Sequence, residues 1–317
     1  MAEGIFQGSL FSGDFLRESI GRLPDWSHLV DAALEALRTD LRHIFDRFPT
    51  AQSPNESQTE DDLIWPILGR LGWTESLRQQ NLAPRGREDV PDGLLFGDGA
   101  AKARANAFPE EWRRYEFGLA VIESKRWQRP LDRRSGRRGE ETAPSTQMLR
   151  YLRRVEDLTT GKLRWGMLTN GRQWRLYYQG ARSVSEQFFE IDLAAILAVP
   201  GHEGGLFALS EEECRHWLKV SALVFGREAF LPTPSDSRTF HQRGPRGGPV
   251  LRRARRRQSL QPRLRPGLPG AGPRHRRRGS VGSFAGRSRG GAGPALSAAL
   301  HPLCRGPGSA AGPRRPV

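Results

Sequence analysis

The chain has 317 residues, a formal charge of +15 at pH 7 and two cysteines. Its length suits one or two globular domains, and two cysteines are too few for a disulfide framework. No stretch approaches the roughly 20 apolar residues of a membrane span, and residues 1–15 lack the basic start of a signal peptide. We therefore expect a cytoplasmic protein with no membrane partner.

The net positive charge comes from residues 241–317, which contain 18 arginines and no Lys, Asp or Glu. Residues 1–240 hold 32 basic and 35 acidic residues and are mildly acidic. The tail is either a disordered Arg/Gly-rich arm that attracts nucleic-acid phosphates, or a frameshifted translation of GC-rich DNA. Its lack of regular RGG spacing favours the frameshift. Both interpretations predict too little apolar surface for a packed core.

Hydrophobic periodicity predicts two helices early in the chain. Apolar residues at three- and four-residue spacing predict one helix from Pro24 to about Phe48. A second helix is predicted from Glu56 to Leu71, where Gly72 ends it. We assign residues 1–54 to an N-terminal helical segment.

Strand patterns follow the second helix. A short strand is predicted within 90–96, and the apolar run Phe117–Glu123 predicts a central strand that is buried on both faces. After a helix at 145–155, the runs 163–169 and 172–178 flank Asn170-Gly171. This pair favours a β-hairpin with a type I′ turn.

The last part of the predicted body continues the mixed pattern. A strand is predicted at 186–191, a short helix at 193–198, and a final helix from a capping box at Ser210 to Val224. The order of elements predicts an α/β fold with a mixed central sheet and flanking helices. It does not fit an alternating array of parallel strands and helices.

Three charged residues stand at strand ends in this scheme. Asp92 precedes one strand, Glu123 ends the buried strand, and Lys125 lies two residues further on the same face. Carboxylate oxygens are the ligands that Mg²⁺ prefers, and a nearby lysine can stabilise charge on a phosphate. The alternative is an ordinary surface ion pair. The end of a buried strand favours function, because charge there is costly unless it is used or paired.

The combination of Pro91-Asp92 with Glu123-Ser124-Lys125 resembles the PD-(D/E)XK nuclease signature. Its surroundings resemble the N-terminal endonuclease region of type IIG restriction–modification enzymes. The matching segments are NESQTEDDLIWPILGRLGW (55–73), REDVPDGLLF (87–96), VIESKRW (121–127), STQMLRYL (145–152) and WGMLTNGRQWRLYY (165–178). The resemblance implies a PD-(D/E)XK restriction-endonuclease-like domain over residues 55–200.

The family pattern assigns roles to the charged residues. It implies that Asp92 and Glu123 bind Mg²⁺ and that Lys125 is the catalytic lysine. It also implies an early acidic residue, for which either Glu56 or Glu60 qualifies. Both also fit the alternative of a carboxylate favoured by the start of a helix.

Two further features follow from the resemblance. Gln147 and Tyr151 match a Q-x-x-x-Y helix that supports the site or contacts DNA in several nuclease families. An arginine-rich stretch behind the motif either contacts phosphates or forms a solvated loop. Its candidate DNA-binding residues are Arg126, Arg129, Arg133 and Arg134. The implied partner is double-stranded DNA, and a homodimer is left open.

The chain departs from the family beyond Phe240. Type IIG enzymes continue into a helical connector, a methyltransferase that uses S-adenosylmethionine, and a target-recognition domain. Here residues 201–240 match only the start of the connector, and the S-adenosylmethionine site is absent. We expect a Mg²⁺-dependent endonuclease domain of a phage-defence enzyme, truncated by a frameshift. The alternative is a catalytically inactive nucleic-acid-binding module with a basic disordered tail.

Overall fold

The computed structural model describes residues 5–136, 141–202 and 208–243, which belong to one compact unit. Their centre is a mixed sheet of seven strands in the order β1-β7-β6-β5-β4-β3-β2. The strands are β1 (Phe6–Gln7), β2 (Ser76–Arg78), β3 (Gly93–Leu95), β4 (Ala120–Ser124), β5 (Trp165–Thr169), β6 (Gln173–Tyr178) and β7 (Phe188–Asp192). Neighbouring strands are antiparallel except β4 and β5, which run parallel. The predicted α/β class with a mixed sheet is confirmed.

Helices cover both faces of this sheet. They are α1 (Gly13–Arg17), α2 (Pro24–His28), α3 (Asp31–Arg47), α4 (Glu56–Thr59), α5 (Trp65–Arg70), α6 (Gly99–Asn106), α7 (Pro144–Thr159), α8 (Leu193–Ile196), α9 (Glu211–Phe225) and α10 (Phe240–Arg243). A large apolar cluster joins α1, α3, α5 and α9 to one face, and a second cluster lies under α6 and α7. Strand β4 is buried along its whole length, as predicted. Each helix in the described ranges is too short or too polar to cross a bilayer.

The single helix predicted from Pro24 to Phe48 is two helices. Helix α2 ends at His28, and Val30 adopts an extended conformation with ψ 155° before α3 begins at Asp31. The side chain of Val30 is 57% exposed, so it does not belong to the buried stripe that the spacing suggested. Apolar spacing continues across the break because both helices pack against the same core.

The helix predicted over residues 56–71 is present but contains a π-helical turn, Glu60–Ile64. Pro66 explains the turn, because proline has no backbone N–H and its ring crowds the carbonyl one turn earlier. The N–H of Trp65 instead donates to the Glu60 carbonyl, five residues back. Gly72 follows the helix with φ +88°, as a helix-ending glycine should.

The predicted hairpin joins β5 to β6, but its turn differs from the expected type. The N–H of Asn170 donates to the Gln173 carbonyl, so Gly171 and Arg172 are the central residues. Gly171 has φ +84°, whereas Arg172 is not among the positive-φ residues. One positive φ at the first central position indicates a type II′ turn. An added Cβ on Gly171 would lie 2.5 Å from Leu63, so the close approach also requires glycine.

The packed body extends past the composition break at residue 241. Phe240 and His241 in α10 are each 1% exposed, and the His241 ring lies 4.4 Å from the Trp165 ring. Arg243 forms an ion pair with Asp25. The predicted boundary therefore falls inside a packed helix, because these side chains bury aromatic surface that composition alone does not reveal. The remainder of the predicted tail, 244–317, lies outside the described residues.

Candidate active site

The strand ends bring the predicted charged residues together. Strands β3 and β4 are antiparallel with Gly93 opposite Ile122, so the start of β3 lies beside the end of β4. Asp92 immediately precedes β3, Glu123 lies near the end of β4, and Lys125 follows that strand. The predicted neighbourhood of these three residues is therefore present.

Ser124 links two carboxylates at this point. Its backbone N–H donates to Asp92 Oδ2 at 2.7 Å. Its Oγ lies 2.8 Å from Asp92 Oδ2 and 2.6 Å from Glu60 Oε1. A hydroxyl has one hydrogen and cannot donate to both carboxylates at once. The arrangement therefore favours a further proton or a cation in the cluster.

Lys125 closes the other side of the site. Its Nζ lies 2.5 Å from Glu123 Oε1 and 3.3 Å from Glu56 Oε1. Glu123 is 1% exposed and Lys125 is 5% exposed, so this ion pair is buried. Strand alternation placed Glu123 and Lys125 on one face, and the structure confirms that they contact each other.

Local hydrogen bonds hold the acidic helix against the end of β4. Asn55 and Gln58 form a capping box that starts α4 directly before Glu56. Thr59 Oγ1 donates to the Asn55 carbonyl at 2.7 Å and accepts from the Trp127 N–H at 2.9 Å. As a result, the side chains of Glu56 and Glu60, the two candidates that the sequence left open, both lie near Asp92 at the strand ends.

Three carboxylates converge closely enough to share one cation. One oxygen each from Glu56, Glu60 and Asp92 lies within 4.8 Å of the others, and all three side chains are half-buried. Glu123, predicted as a ligand with Asp92, is outside this group because its Oε1 faces Lys125. Its Oε2 is buried and has no hydrogen-bond partner within the described part of the chain.

The electrostatics of the site reflect crowded negative charge. Burial and then the Asp92 charge raise the pKa of Glu123 to about 8. Burial also raises the pKa of Glu60, with a further contribution from Asp92. Burial lowers the pKa of Lys125, but the nearby carboxylates outweigh this effect and the net pKa is raised. The Lys125 ammonium therefore stays charged beside Glu123 and Glu56.

The Q-x-x-x-Y helix lies behind the site. Gln147 Nε2 donates to Tyr151 Oη at 2.7 Å, and this hydroxyl lies 3.4 Å from the Val90 carbonyl, in the segment that leads to Asp92. Burial and then the negative charge of Glu123 raise the pKa of Tyr151 to about 12. Tyr151 therefore supports the backbone before Asp92 and lies within electrostatic reach of Glu123.

The predicted DNA-binding arginines differ in exposure. Arg133 and Arg134 are exposed and Arg126 is half-buried. Arg129 is 3% exposed, and its Nη2 donates to the Thr142 carbonyl at 3.3 Å. In this structure the buried Arg129 guanidinium therefore holds the loop, whereas Arg133 and Arg134 are exposed to solvent.

Sequence reasoning gave no role to two features near the site. Ser124 occupies the variable position of the motif, and the only available signal was a small polar residue in an apolar strand. Asp89 is 1% exposed and forms ion pairs with Arg150 and Arg154 of α7. Their spacing of four residues marked one helix face, but nothing in the sequence connected that face to Asp89.

Comparisons with protein-family models, curated proteins and solved structures found no match to this chain. What the site can do therefore follows from its own geometry.

Proposed function

We propose that this chain is a Mg²⁺-dependent DNA endonuclease domain with a PD-(D/E)XK-like fold, of the kind found in type IIG restriction–modification enzymes. The observation that carries the proposal is the meeting of Asp92 with Glu123 and Lys125 at adjoining strand ends. A helical carboxylate, Glu60, reaches the same point through Ser124. The proposed partner is double-stranded DNA.

The donor set suits magnesium. The converging groups are carboxylate oxygens from Glu56, Glu60 and Asp92, and Mg²⁺ takes oxygen ligands with several waters. Buried Glu123 Oε2 has no hydrogen-bond partner among the described residues, and a single Ser124 hydroxyl lies between two carboxylates; both leave negative charge that a cation would balance. A nearby divalent cation would also lower the pKa of Glu123 and favour its ionised form.

Bound Mg²⁺ would activate a water as the nucleophile and neutralise charge on the phosphate. The residues of the chain divide the remaining work. Asp92, Glu60 and Glu56 would hold the ion, and Ser124 fixes the first two relative to each other. Lys125 stays protonated beside its carboxylates, so it would stabilise negative charge on the phosphate rather than accept a proton.

Cleavage of supercoiled plasmid DNA with Mg²⁺ tests this function. We expect nicked or linear product from the wild-type chain, and a loss of at least about 100-fold in Asp92→Ala and Lys125→Ala. Asp62→Ala is the matched control, because Asp62 is an exposed carboxylate in the same π-helical turn as Glu60. Linear product that rises with protein concentration would support a homodimer. Undiminished cleavage in both site variants would place the chemistry elsewhere.

A second function is a non-catalytic nucleic-acid-binding module. It is favoured by the position of Glu123, which pairs with Lys125 and stays outside the group of three converging carboxylates. This function predicts DNA binding without metal, no cleavage by the wild-type chain, and equal affinity in Asp92→Ala. Cleavage that depends on both Mg²⁺ and Asp92 would exclude it.

A further inference from the structure

A second charged cluster lies beside the candidate site, on the surface formed by α7. Asp89 Oδ1 lies 2.7 Å from Arg150 Nε, and Asp89 Oδ2 lies 2.7 Å from Arg154 Nε. The Asp89 side chain is 2% exposed, whereas those of Arg150 and Arg154 are 48% and 39% exposed. One buried carboxylate therefore forms ion pairs with two guanidinium groups that reach solvent, although the contact between Asp89 Oδ2 and Arg154 lacks hydrogen-bond geometry. We call these three residues the arginine clamp.

The two arginines of the clamp carry more positive charge than the single Asp89 carboxylate can neutralise. One guanidinium would be enough to neutralise Asp89, so the second leaves a net charge of about +1 on the three residues of the clamp. The anchor engages the Nε atoms, and among the described residues the terminal Nη groups of the two arginines form no ion pair closer than 3.9 Å. Arg154 Nη2 also lies 3.9 Å from Glu88, an exposed carboxylate at a distance where an ion pair is weak.

Such an arrangement suits a phosphate group. Guanidinium groups bind phosphate oxygens through paired N–H donors. Holding two long side chains in place beforehand reduces the conformational entropy lost on binding. The buried anchor supplies this preorganisation, which a freely moving surface arginine does not have.

The clamp shares both of its chain segments with the candidate site. Asp89 lies three residues before Asp92, and Arg150 directly precedes Tyr151 on α7. The Tyr151 hydroxyl lies 3.4 Å from the Val90 carbonyl, so it joins these two segments. A phosphate on the clamp would therefore bind to the two chain segments that also carry Asp92 and Tyr151.

We propose that Arg150 and Arg154, held by Asp89, bind a backbone phosphate of the DNA substrate. This contact rests on the proposed function for its ligand but is independent of the cleavage chemistry. It would position the duplex without reading its sequence, because phosphates are common to all sequences.

The test compares three single variants of the full chain. Arg150→Gln and Arg154→Gln each leave Asp89 with one guanidinium, so the buried carboxylate stays paired. Arg153→Gln removes the same charge from an exposed position on the same helix. Binding to a short DNA duplex is measured in EDTA over a series of salt concentrations. The basic residues 241–317 are common to all variants and cancel in the comparison.

We expect each clamp variant to weaken binding about tenfold at low salt and to reduce the slope of log K against log salt by about 1. Arg153→Gln should weaken binding less than about threefold, through long-range attraction alone. Equal losses in all three variants would overturn the clamp, because the arginines would then act only as general positive charge. Wild-type protein that binds no duplex would overturn it as well.

A second measurement avoids substitutions altogether. Phenylglyoxal modifies accessible arginines, and duplex DNA should slow the modification of Arg150 and Arg154 more than that of Arg153 in the wild-type chain. Identical rates with and without DNA would contradict the contact. Failure of the clamp with intact Mg²⁺-dependent cleavage would leave the endonuclease function standing. Clamp-dependent binding without cleavage would contradict the endonuclease function alone.

Discussion

Two clusters of buried charge lie on the same sheet and differ in how fully their charges are matched. On β6, the Arg175 side chain is 2% exposed; it contacts both oxygens of Asp132 at 2.7 and 2.8 Å and Glu190 at 2.7 Å. At the end of β4, four carboxylates (Glu56, Glu60, Asp92 and Glu123) gather near one lysine, Lys125, which contacts two of them, and Glu123 Oε2 has no hydrogen-bond partner within the described ranges.

The difference between the two clusters separates a structural role from a functional one. A cluster that only stabilises the fold gives its buried carboxylate oxygens hydrogen-bond donors, because a buried unpaired polar group is costly. In the β6 cluster one guanidinium faces two carboxylates, and all four carboxylate oxygens accept a hydrogen bond, three from Arg175 and one from Gln173. The β4 cluster has one lysine for four carboxylates, and this larger surplus of negative charge must be balanced by protons or a cation. That surplus is the physical basis for proposing a cation site at the end of β4.

The largest expected effect comes from breaking the β6 cluster. Arg175→Met leaves Glu190 buried without its partner and should lower the free energy of unfolding by about 3–5 kcal/mol. Lys125→Met should cost less than about half of this, because the raised pKa of Glu123 lets this carboxyl take up a proton once its cationic partner is lost. Urea unfolding at pH 7 in EDTA compares the two variants. Equal losses would mean that the β4 cluster is as internally matched as the β6 cluster.

The pH dependence of stability gives the next effect. The pKa of Glu123 is raised to about 8 in the folded chain from an ordinary value of 4.5. The folded state therefore binds more protons than the unfolded state between these values, and stability falls as the pH rises from about 4.5 to 8. Glu123→Gln should remove on the order of 2 kcal/mol of this decline. Urea titrations in EDTA across this range measure it, and parallel curves for variant and wild type would contradict the assignment.

Much of the fold followed from local sequence pattern. The apolar run that forms β4 and the Asn170-Gly171 hairpin were both predictable. A strand that is buried on both faces has a continuous apolar sequence, and a tight turn favours particular residue types such as Asn-Gly. The break at Val30 and the type II′ turn at Gly171 depend on backbone torsion angles, which periodicity does not encode. Strands β1 and β2 have two and three residues and carry no detectable pattern.

The site was predictable only in its chemical types. Asp92, Glu123 and Lys125 could be identified from the sequence because a charge at the end of a buried strand is energetically costly unless it is paired or has a function. The grouping of Asp92 with two helical glutamates, and the turn of Glu123 towards Lys125, depend on tertiary packing. The same holds for Arg129, which belongs to an arginine-rich stretch yet is buried. Sequence indicates which residues are unusual, whereas packing decides which of them meet.

Substitution of Ser124 should have a smaller effect, a loss of cation affinity at the β4 cluster. Ser124→Ala removes the hydroxyl that joins Asp92 to Glu60, and the affinity for divalent cation should fall about 10- to 100-fold, as for other groups that orient metal ligands. Ser221→Ala is the matched control, because the Ser221 hydroxyl is also buried but has no hydrogen-bond partner among the described residues. Titration with Mn²⁺ measures both. Equal affinity in the two variants would remove Ser124 from the site.

Direct binding of Mn²⁺ tests the central claim most closely, because Mn²⁺ takes the same oxygen ligands as Mg²⁺. Electron paramagnetic resonance of the free ion gives the number of bound ions without any need for cleavage. The surplus charge at the end of β4 predicts one bound ion per wild-type chain, lost in Asp92→Asn and kept in Asp62→Asn. Binding that is unchanged in Asp92→Asn, or absent from the wild-type chain, would contradict a cation site at the end of β4.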